Sequence, residues 1–472
     1  MAASMLPARS ADESPMQPVY PYGGANEPVI VYKGPIYVEG IGKRAGGIEL
    51  STRSAPRLRW QIEPREQDYM HGGPNEVALA IWHGDREFVI PAHRASTHDG
   101  WINAAQVGRP DERLCRVRLH WMNLPDVDGP IALFEQDAER VKRWWLGRWQ
   151  VEVDGWRITL DSRPDYSQAT TDDQGGRLFM LTHVMEIRRI DHSDFTADRA
   201  EQLLEHLRVT FSFAFGHWVA PVLPRGYDAS GRVVWEKWTS PICDPYRPVP
   251  SAWLWKGRPD DLSDLVRKAI PALSNAKLAG TMRLQMQLAV SAVAGGFVEQ
   301  RILAASPALE NLGWTRLVFN KRWTETEYNN RFAEDRLRYL LQEAKIPTDI
   351  DANLFPALAA FAKSEGVDGP SAVNRVRNRL VHPRLPENRL IKHDGLMTDV
   401  WRMVRRYVTF LILHDIGYSG SVVDPAKLTG WAGNAHKVPW IAGSALPAMP
   451  PDKRTIQSTR RSTRSALGNR RR

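Results

Sequence analysis

One short stretch, Arg377-Asn378-Arg379-Leu380-Val381-His382-Pro383, brings together residue types that can act on a phosphodiester without a metal. Histidine titrates near neutral pH and moves protons. Arginine keeps its charge and braces a phosphate whose negative charge grows in the transition state. In an unbroken helix, residues five apart lie about 140° apart around the axis, so Arg377 and His382 would point apart. Pro383 changes this, because the residue before a proline is pushed out of helical backbone. His382 is therefore expected at a loosened helix end. Asn378, four residues earlier, shares its face and is placed to orient the ring. The same pattern also suits a plain helix end, with the arginine in an ion pair and the histidine capping carbonyls.

Cleaving RNA through its own 2′-hydroxyl uses a base at that hydroxyl and an acid at the leaving oxygen. One histidine falls short of this. A two-fold dimer makes up the difference, since its isologous interface presents the same helix end twice. Two copies of Arg377 and His382 are thus expected to face each other across a cleft between protomers.

The elements that must hold this stretch are helical. Asp368-Gly369-Pro370 offers a cap and an early proline to start its helix. Leu284, Leu288, Ala292, Phe297, Ile302 and Leu303 trace a long helix before it. Phe332, Leu337, Leu340, Leu341 and Ala344 mark a second that ends before Pro347, and Leu354 to Phe361 a short third. Leu396, Val400, Met403, Val404, Tyr407, Val408 and Leu411 form an amphipathic stripe. These apolar faces must pack on one another, which predicts a bundle over residues 263–420.

Upstream the pattern is different. Short apolar runs such as Val77–Trp82 and Phe88–Ile90, bounded by Gly, Pro or Asp, read as strands, as do Arg116–Trp121, Phe179–Ile190 and Val233–Trp238. Asp154-Gly155 between Trp149–Val153 and Trp156–Leu160 predicts a hairpin. One helix interrupts the strands, capped by Thr196 and carrying Leu203, Leu204, Leu207, Phe211 and Phe215 before Gly216. Thirteen of the eighteen tryptophans lie before Asp260. They suit the core of a β-sandwich or barrel, or else a groove for a peptide, sugar or bases. His183 and His217, single histidines in apolar surroundings, read as satisfied core groups. The expected class is α+β: a disordered leader at 1–27, a Trp-rich β domain at 28–240, a proline-rich linker at 241–262, the bundle, and a basic, disordered tail at 421–472.

Composition bounds the function. Hydrophobic content of 43% and charged content of 25% are those of a soluble globular protein. No apolar run approaches the roughly 20 residues of a membrane helix, and no apolar signal core opens the chain, so a cytoplasmic protein without a membrane partner is expected. Cys115 and Cys243 alone build neither a disulfide framework nor a cysteine zinc site. No His-Glu-x-x-His, phosphate loop or Gly-x-Ser-x-Gly elbow is present, and no cofactor or metal is implied. The net charge is +9, and residues 451–472 hold eight basic side chains against Asp452 alone. The body is nearly neutral, and the tail is either a salt-sensitive grip on nucleic acid or a solvated end.

On these residues the chain resembles the HEPN superfamily, whose ribonuclease members carry an arginine, four to six residues and then a histidine. Val298-Glu299-Gln300-Arg301-Ile302-Leu303 and Ala308-Leu309-Glu310-Asn311-Leu312-Gly313-Trp314 are similar to the early helix of bacterial ApeA-like HEPN proteins. Ile412 to Gly420 is similar to the segment closing their bundle, so the resemblance covers roughly residues 265–420. It implies a metal-independent endoribonuclease that acts as a homodimer on RNA and leaves a 2′,3′-cyclic phosphate. His382, Arg377 and Asn378 would be its catalytic residues. Glu299 and Glu310 would be placed to reach the site, although exposed helix carboxylates are the plainer reading of each. The resemblance further implies anti-phage defence by abortive infection, with the β domain meeting a phage-derived trigger or protein partner and restraining the nuclease. A non-catalytic HEPN adaptor that dimerises and binds a protein or nucleotide is the alternative.

Overall fold

The computed structural model describes residues 13–65, 75–83, 86–136, 142–171, 177–246, 252–293, 296–320, 322–382, 393–427 and 435–441. The chain divides into two packing units. The first comprises Met1–Ser212, Trp218–Pro250 and Lys256–Ile270, and the second Phe213–His217, Ser251–Trp255 and Pro271–Arg472.

The first unit is built from two antiparallel systems. Strands β1 (Val29–Val38), β2 (Gly42–Ser51), β3 (Arg57–Ile62), β4 (Glu76–His83), β5 (Arg86–Arg94) and β6 (Asp99–Ile102) close into a barrel in the order β1-β2-β3-β6-β5-β4. Side chains alternate across a strand, and in β3 Leu58, Trp60 and Ile62 point inward while Arg57, Arg59 and Gln61 are exposed. Ile36, Ile48, Leu50, Leu79 and Ile81 fill the same interior.

The second system is an eight-stranded sheet. Its strands are β7 (Ala104–Val107), β9 (Arg116–Met122), β10 (Ile131–Gln136), β11 (Lys142–Val153), β12 (Trp156–Ser162), β13 (Leu181–Arg189), β15 (Ala220–Tyr227) and β16 (Val233–Thr239). The order is β10-β11-β12-β13-β9-β15-β16-β7. Short strands β8 (Arg113–Leu114) and β14 (Phe195–Thr196) pair beside it. The β11–β12 hairpin turns at Asp154 and Gly155, with φ of 51° and 74°, the left-handed pair that matches strand twist. A short helix α1 (Tyr166–Thr171) follows β12, and α2 (Ala197–Phe215) starts at Thr196, whose Oγ1 accepts the Arg199 N–H, and ends at Gly216 with φ 69°. Trp121 and Trp149 pack on Phe211 of α2, at 4.9 and 6.1 Å between centroids. With Trp60, Trp156, Trp235 and Trp238 also buried, the tryptophans mainly fill core.

Two expectations about the ends of this unit are corrected. Residues 13–27, part of the expected disordered leader, are packed: Tyr20 is 5% exposed and Met16 N–H donates to Asp161 Oδ2 at 2.8 Å. Proline and glycine lower propensity, but specific side chains of the sheet hold the segment in place. In the expected linker, Asp244 and Tyr246 hydrogen-bond to Trp218 and Leu178, and Trp253 and Leu254 are buried. Pro248 and Pro250 lie outside the described residues.

The second unit is helical, with α3 (Pro259–Ser274) leading into it. Its helices are α4 (Ala279–Ser291), α5 (Val298–Trp314), α6 (Glu325–Asn329), α7 (Ala333–Glu343), α8 (Pro356–Glu365), α9 (Gly369–Val381) and α10 (Leu396–Asp415). The long first helix expected from Leu284 to Leu303 is two helices. Gly296 takes φ 70°, Phe297 is extended, and the Gln300 side chain caps the Phe297 N–H at 3.1 Å to start α5 afresh. Leu284 and Phe297, counted as core in the periodicity, are 45% and 76% exposed. The stripe on α10 is buried as its spacing requires, from Leu396 to Leu413. The unit also extends past the expected boundary at 420. Strands β17 (Ser421–Val423) and β18 (Ala435–Lys437) pair, with Val422 fully buried. Residues 442–472, including the basic cluster, lie outside the described residues.

Candidate active site

Helix α9 carries the motif, and its start is well fixed. Asp368 Oδ1 accepts the Ser371 N–H at 3.1 Å, Pro370 occupies the first turn, and Arg338 clamps the Asp368 carboxylate through two nitrogens at 2.6 and 3.0 Å. Ala372, Val373 and Val376 are buried, which orients the rest of the helix surface. At the other end the His382 N–H still reaches the Asn378 carbonyl at 2.8 Å, but its backbone leaves the helix at φ −127°, ψ 72°. This is outside helical backbone, as expected of a residue before proline, with ψ short of the fully extended range. The His382 side chain is exposed, and Pro383 lies outside the described residues.

Three arginines project from the second half of α9, and they differ in what faces them. Arg375 and Arg379 both pair with Glu365, at 2.6 and 3.0 Å. Arg377 meets no carboxylate among the described residues. Its Nη1 donates to the Asn378 Oδ1 at 2.9 Å, a neutral acceptor that fixes the guanidinium without cancelling its charge. The Asn378 side chain is thus engaged with Arg377, while its backbone carbonyl serves His382.

Arg377 lines a small open groove of about 40 Å³ formed by α5, α6, α7 and α9. Ser306, Glu310, Tyr328, Arg336 and Asn374 are its other polar walls, over a floor that includes Leu309, Leu340 and Val373. Arg336 sits 4.1 Å above the Tyr328 ring and 3.2 Å from Glu310 Oε2. Burial raises the Tyr328 hydroxyl to about 12, so it stays a donor. Asn374 donates to Glu334 at 2.7 Å. Glu310 thus shares the groove with Arg377, whereas Glu299 and His382 are not among the residues lining it. Arg336 and Asn374 were not picked out from sequence. Asn374 had a signal, three positions before Arg377 on one helix face; Arg336 had none, because α7 meets α9 only through tertiary packing.

The remaining candidates fall elsewhere. Among the described residues, no group of three His, Cys, Asp or Glu could hold a metal ion, and no helix is long and apolar enough to cross a membrane. His217 is a satisfied core group, its Nδ1 3.1 Å from the Phe215 carbonyl. His183 is not: it is 1% exposed and both ring nitrogens lack a hydrogen-bond partner. Burial lowers its pKa to about 3, and that of buried His120 to about 3 as well.

Comparison with known proteins follows the same division. Residues 109–249 match the family model of the YopA central domain, which begins after the barrel strands. Residues 278–436 match that of the YopA C-terminal domain, which takes in α9 and runs on to β18. A Bacillus subtilis (strain 168) protein, described as SPbeta prophage-derived uncharacterized protein YopA, is 28% identical over 303 residues. That match covers 62% of this chain and 66% of the relative, just under two thirds of its length. No solved structure gives a significant match. The chain is therefore similar to YopA proteins through seven of the eight strands of its larger sheet and through the helices that carry the Arg377 groove.

Proposed function

We propose that the helical unit is a HEPN-type, metal-independent endoribonuclease, and that the β-rich unit senses a trigger or restrains it. The supporting observation is the state of Arg377: held by Asn378, unpaired with any described carboxylate, and set at a groove five residues before an exposed histidine at the helix end. A guanidinium kept in place with its charge uncancelled is suited to a phosphate. Two copies, brought together in a homodimer, supply the base and the acid from two His382 rings. One ring takes the 2′-hydroxyl proton as that oxygen attacks phosphorus. The other protonates the departing 5′-oxygen, and the products are a 2′,3′-cyclic phosphate and a free 5′-hydroxyl. Arg377 carries the charge that builds on the non-bridging oxygens. The relative is prophage-derived by name, which fits a role in conflict between phage and host, such as abortive infection in the bacterial cytoplasm.

The test is RNA turnover in EDTA by the full chain and by residues 251–472, each as wild type, His382→Ala and Arg377→Ala. Cleavage that leaves cyclic phosphate ends and disappears in both variants supports the reading. Folded, dimeric wild-type protein that leaves RNA intact, both as the full chain and as residues 251–472, overturns it in favour of a non-catalytic adaptor.

A further inference from the structure

Residues 14–22 read Ser-Pro-Met-Gln-Pro-Val-Tyr-Pro-Tyr, with proline at every third position. That spacing favours the extended polyproline II conformation, which forms no internal hydrogen bonds and leaves its carbonyls open to outside donors. Residues 14–24 are in neither helix nor strand. They lie on the face of the eight-stranded sheet turned away from α2, where Tyr20 joins the core cluster of the barrel and Val19 and Tyr22 pack against it. Trp121 packs on α2, its strand neighbour His120 therefore points the other way, and His120 Nε2 accepts the Tyr20 N–H at 3.0 Å.

What holds this segment is a row of arginines. Arg148 donates to the Ser14 carbonyl at 2.9 Å, Arg118 to Gln17 at 3.2 Å, Arg225 to Val19 at 3.5 Å and Arg163 to Gly23 at 3.1 Å. Arg225 also donates to the Tyr20 hydroxyl at 3.0 Å and stacks 4.5 Å from its ring. Among the described residues, 14–23 make no backbone–backbone hydrogen bond. The sheet reads the segment through side chains, as a receptor reads a peptide, and does not add it as a strand. The fit is also incomplete, because the Tyr22 hydroxyl is buried without a partner.

We infer that this sheet face is a recognition site for a proline-rich, extended peptide of a partner protein, and that residues 14–22 are its built-in, exchangeable occupant. The partner segment carries prolines three apart and an aromatic residue at the place of Tyr20. A phenylalanine at the place of Tyr22 improves it, since no hydroxyl is then buried unpaired. This inference does not depend on the ribonuclease reading.

A protease site inserted between Gly24 and Ala25 of the full chain tests it. After cleavage, a fluorescent peptide of residues 13–24 is added and its anisotropy followed. The cleaved protein is expected to keep its near-UV circular dichroism and take up the peptide. Unlabelled peptide with Tyr22→Phe should compete roughly tenfold better than the native sequence, as one unpaired buried group would give. Peptides with Tyr20→Ala, or with the three prolines changed to alanine, should not compete. Loss of the fold on cleavage, failure to exchange, or equal competition by the proline-free peptide overturns the proposal. Hydrogen exchange of the unaltered chain gives a second reading. Amides of residues 14–23 should exchange well ahead of β9 and β13, and exchange only with global unfolding would make the segment a fixed part of the core.

Discussion

Arg377 differs from Arg375 and Arg379 on α9 in what faces it and in being half-buried where they are exposed. Arg375 and Arg379 share Glu365, so both have a carboxylate partner and one of their two charges is balanced. Arg377 has the amide of Asn378. Replacing Arg377 by lysine keeps the charge but loses the planar fork that can hold both Asn378 and a phosphate oxygen. In the proposed ribonuclease, turnover of RNA would fall about 10²–10³-fold in both Arg377→Lys and Arg377→Ala, the usual loss for one transition-state donor, with the mass by light scattering unchanged. A lysine variant as active as wild type would remove the bidentate role. The buried histidines lead to a different expectation. His120 and His183 have folded-state pKa values lowered to about 3 by burial, while in the unfolded chain each titrates near 6.5. Below that pH the unfolded state binds protons that the folded state refuses. Stability is thus full above about pH 6.5 and declines toward pH 3, by roughly 1.4 kcal/mol per pH unit for each ring. Urea midpoints should drop between pH 7 and pH 5, and the slope should flatten in His183→Gln. An unchanged slope would show that His183 is protonated or solvated in the folded state.

At the scale of elements, local chemistry sets most starts and stops. The Asp154-Gly155 turn, the Thr196 cap and the Asp368 cap all stand where residue type placed them. Asp368 does two jobs, capping α9 and binding Arg338 of α7. Asp368→Asn retains the cap and loses the ion pair, whereas Asp368→Ala loses both. The alanine variant is expected to be about 1 kcal/mol or more less stable than wild type, with the asparagine variant between them in thermal melts. Equal melting of the two variants would leave the cap without a measurable role. The break between α4 and α5 was not legible, because Leu284 and Phe297 continue the helical spacing although both are exposed. Periodicity counts apolar residues; it does not report which of them found a partner.

At the scale of the whole molecule, the chain does not divide at a single point. Phe213–His217 and Ser251–Trp255 belong to the helical unit although strands lie between them in sequence. Trp253 is 2% exposed, donates to the Phe213 carbonyl at 2.9 Å and packs edge-on to Tyr418 at 5.4 Å. Trp253→Ala in the full chain should cost about 3–5 kcal/mol, as for other buried aromatics, measured by denaturant unfolding. A fragment starting at residue 263 lacks this tryptophan and is expected to melt well below one starting at 251. Equal stability of the two fragments would show that Trp253 contributes little to the helical unit. The barrel lies outside both matched YopA regions.

Sequence alone settled the α+β class, the order of a β-rich half and a helical half, and the place of Arg377 and His382 on one capped helix with a loosened end. These follow from period, caps and proline, which act over a few residues. Tertiary structure alone decided that Arg377 has no carboxylate partner among the described residues while Arg375 and Arg379 share Glu365, that Glu310 and Arg336 reach its groove, and that a proline-rich leader lies ordered across a sheet. Each of these depends on side chains brought together from distant parts of the chain. Glu310 and Arg377 are separated in sequence by the three helices α6, α7 and α8, as Gln17 and Arg118 are by the whole barrel. No local pattern encodes such a meeting, because packing chooses the partner.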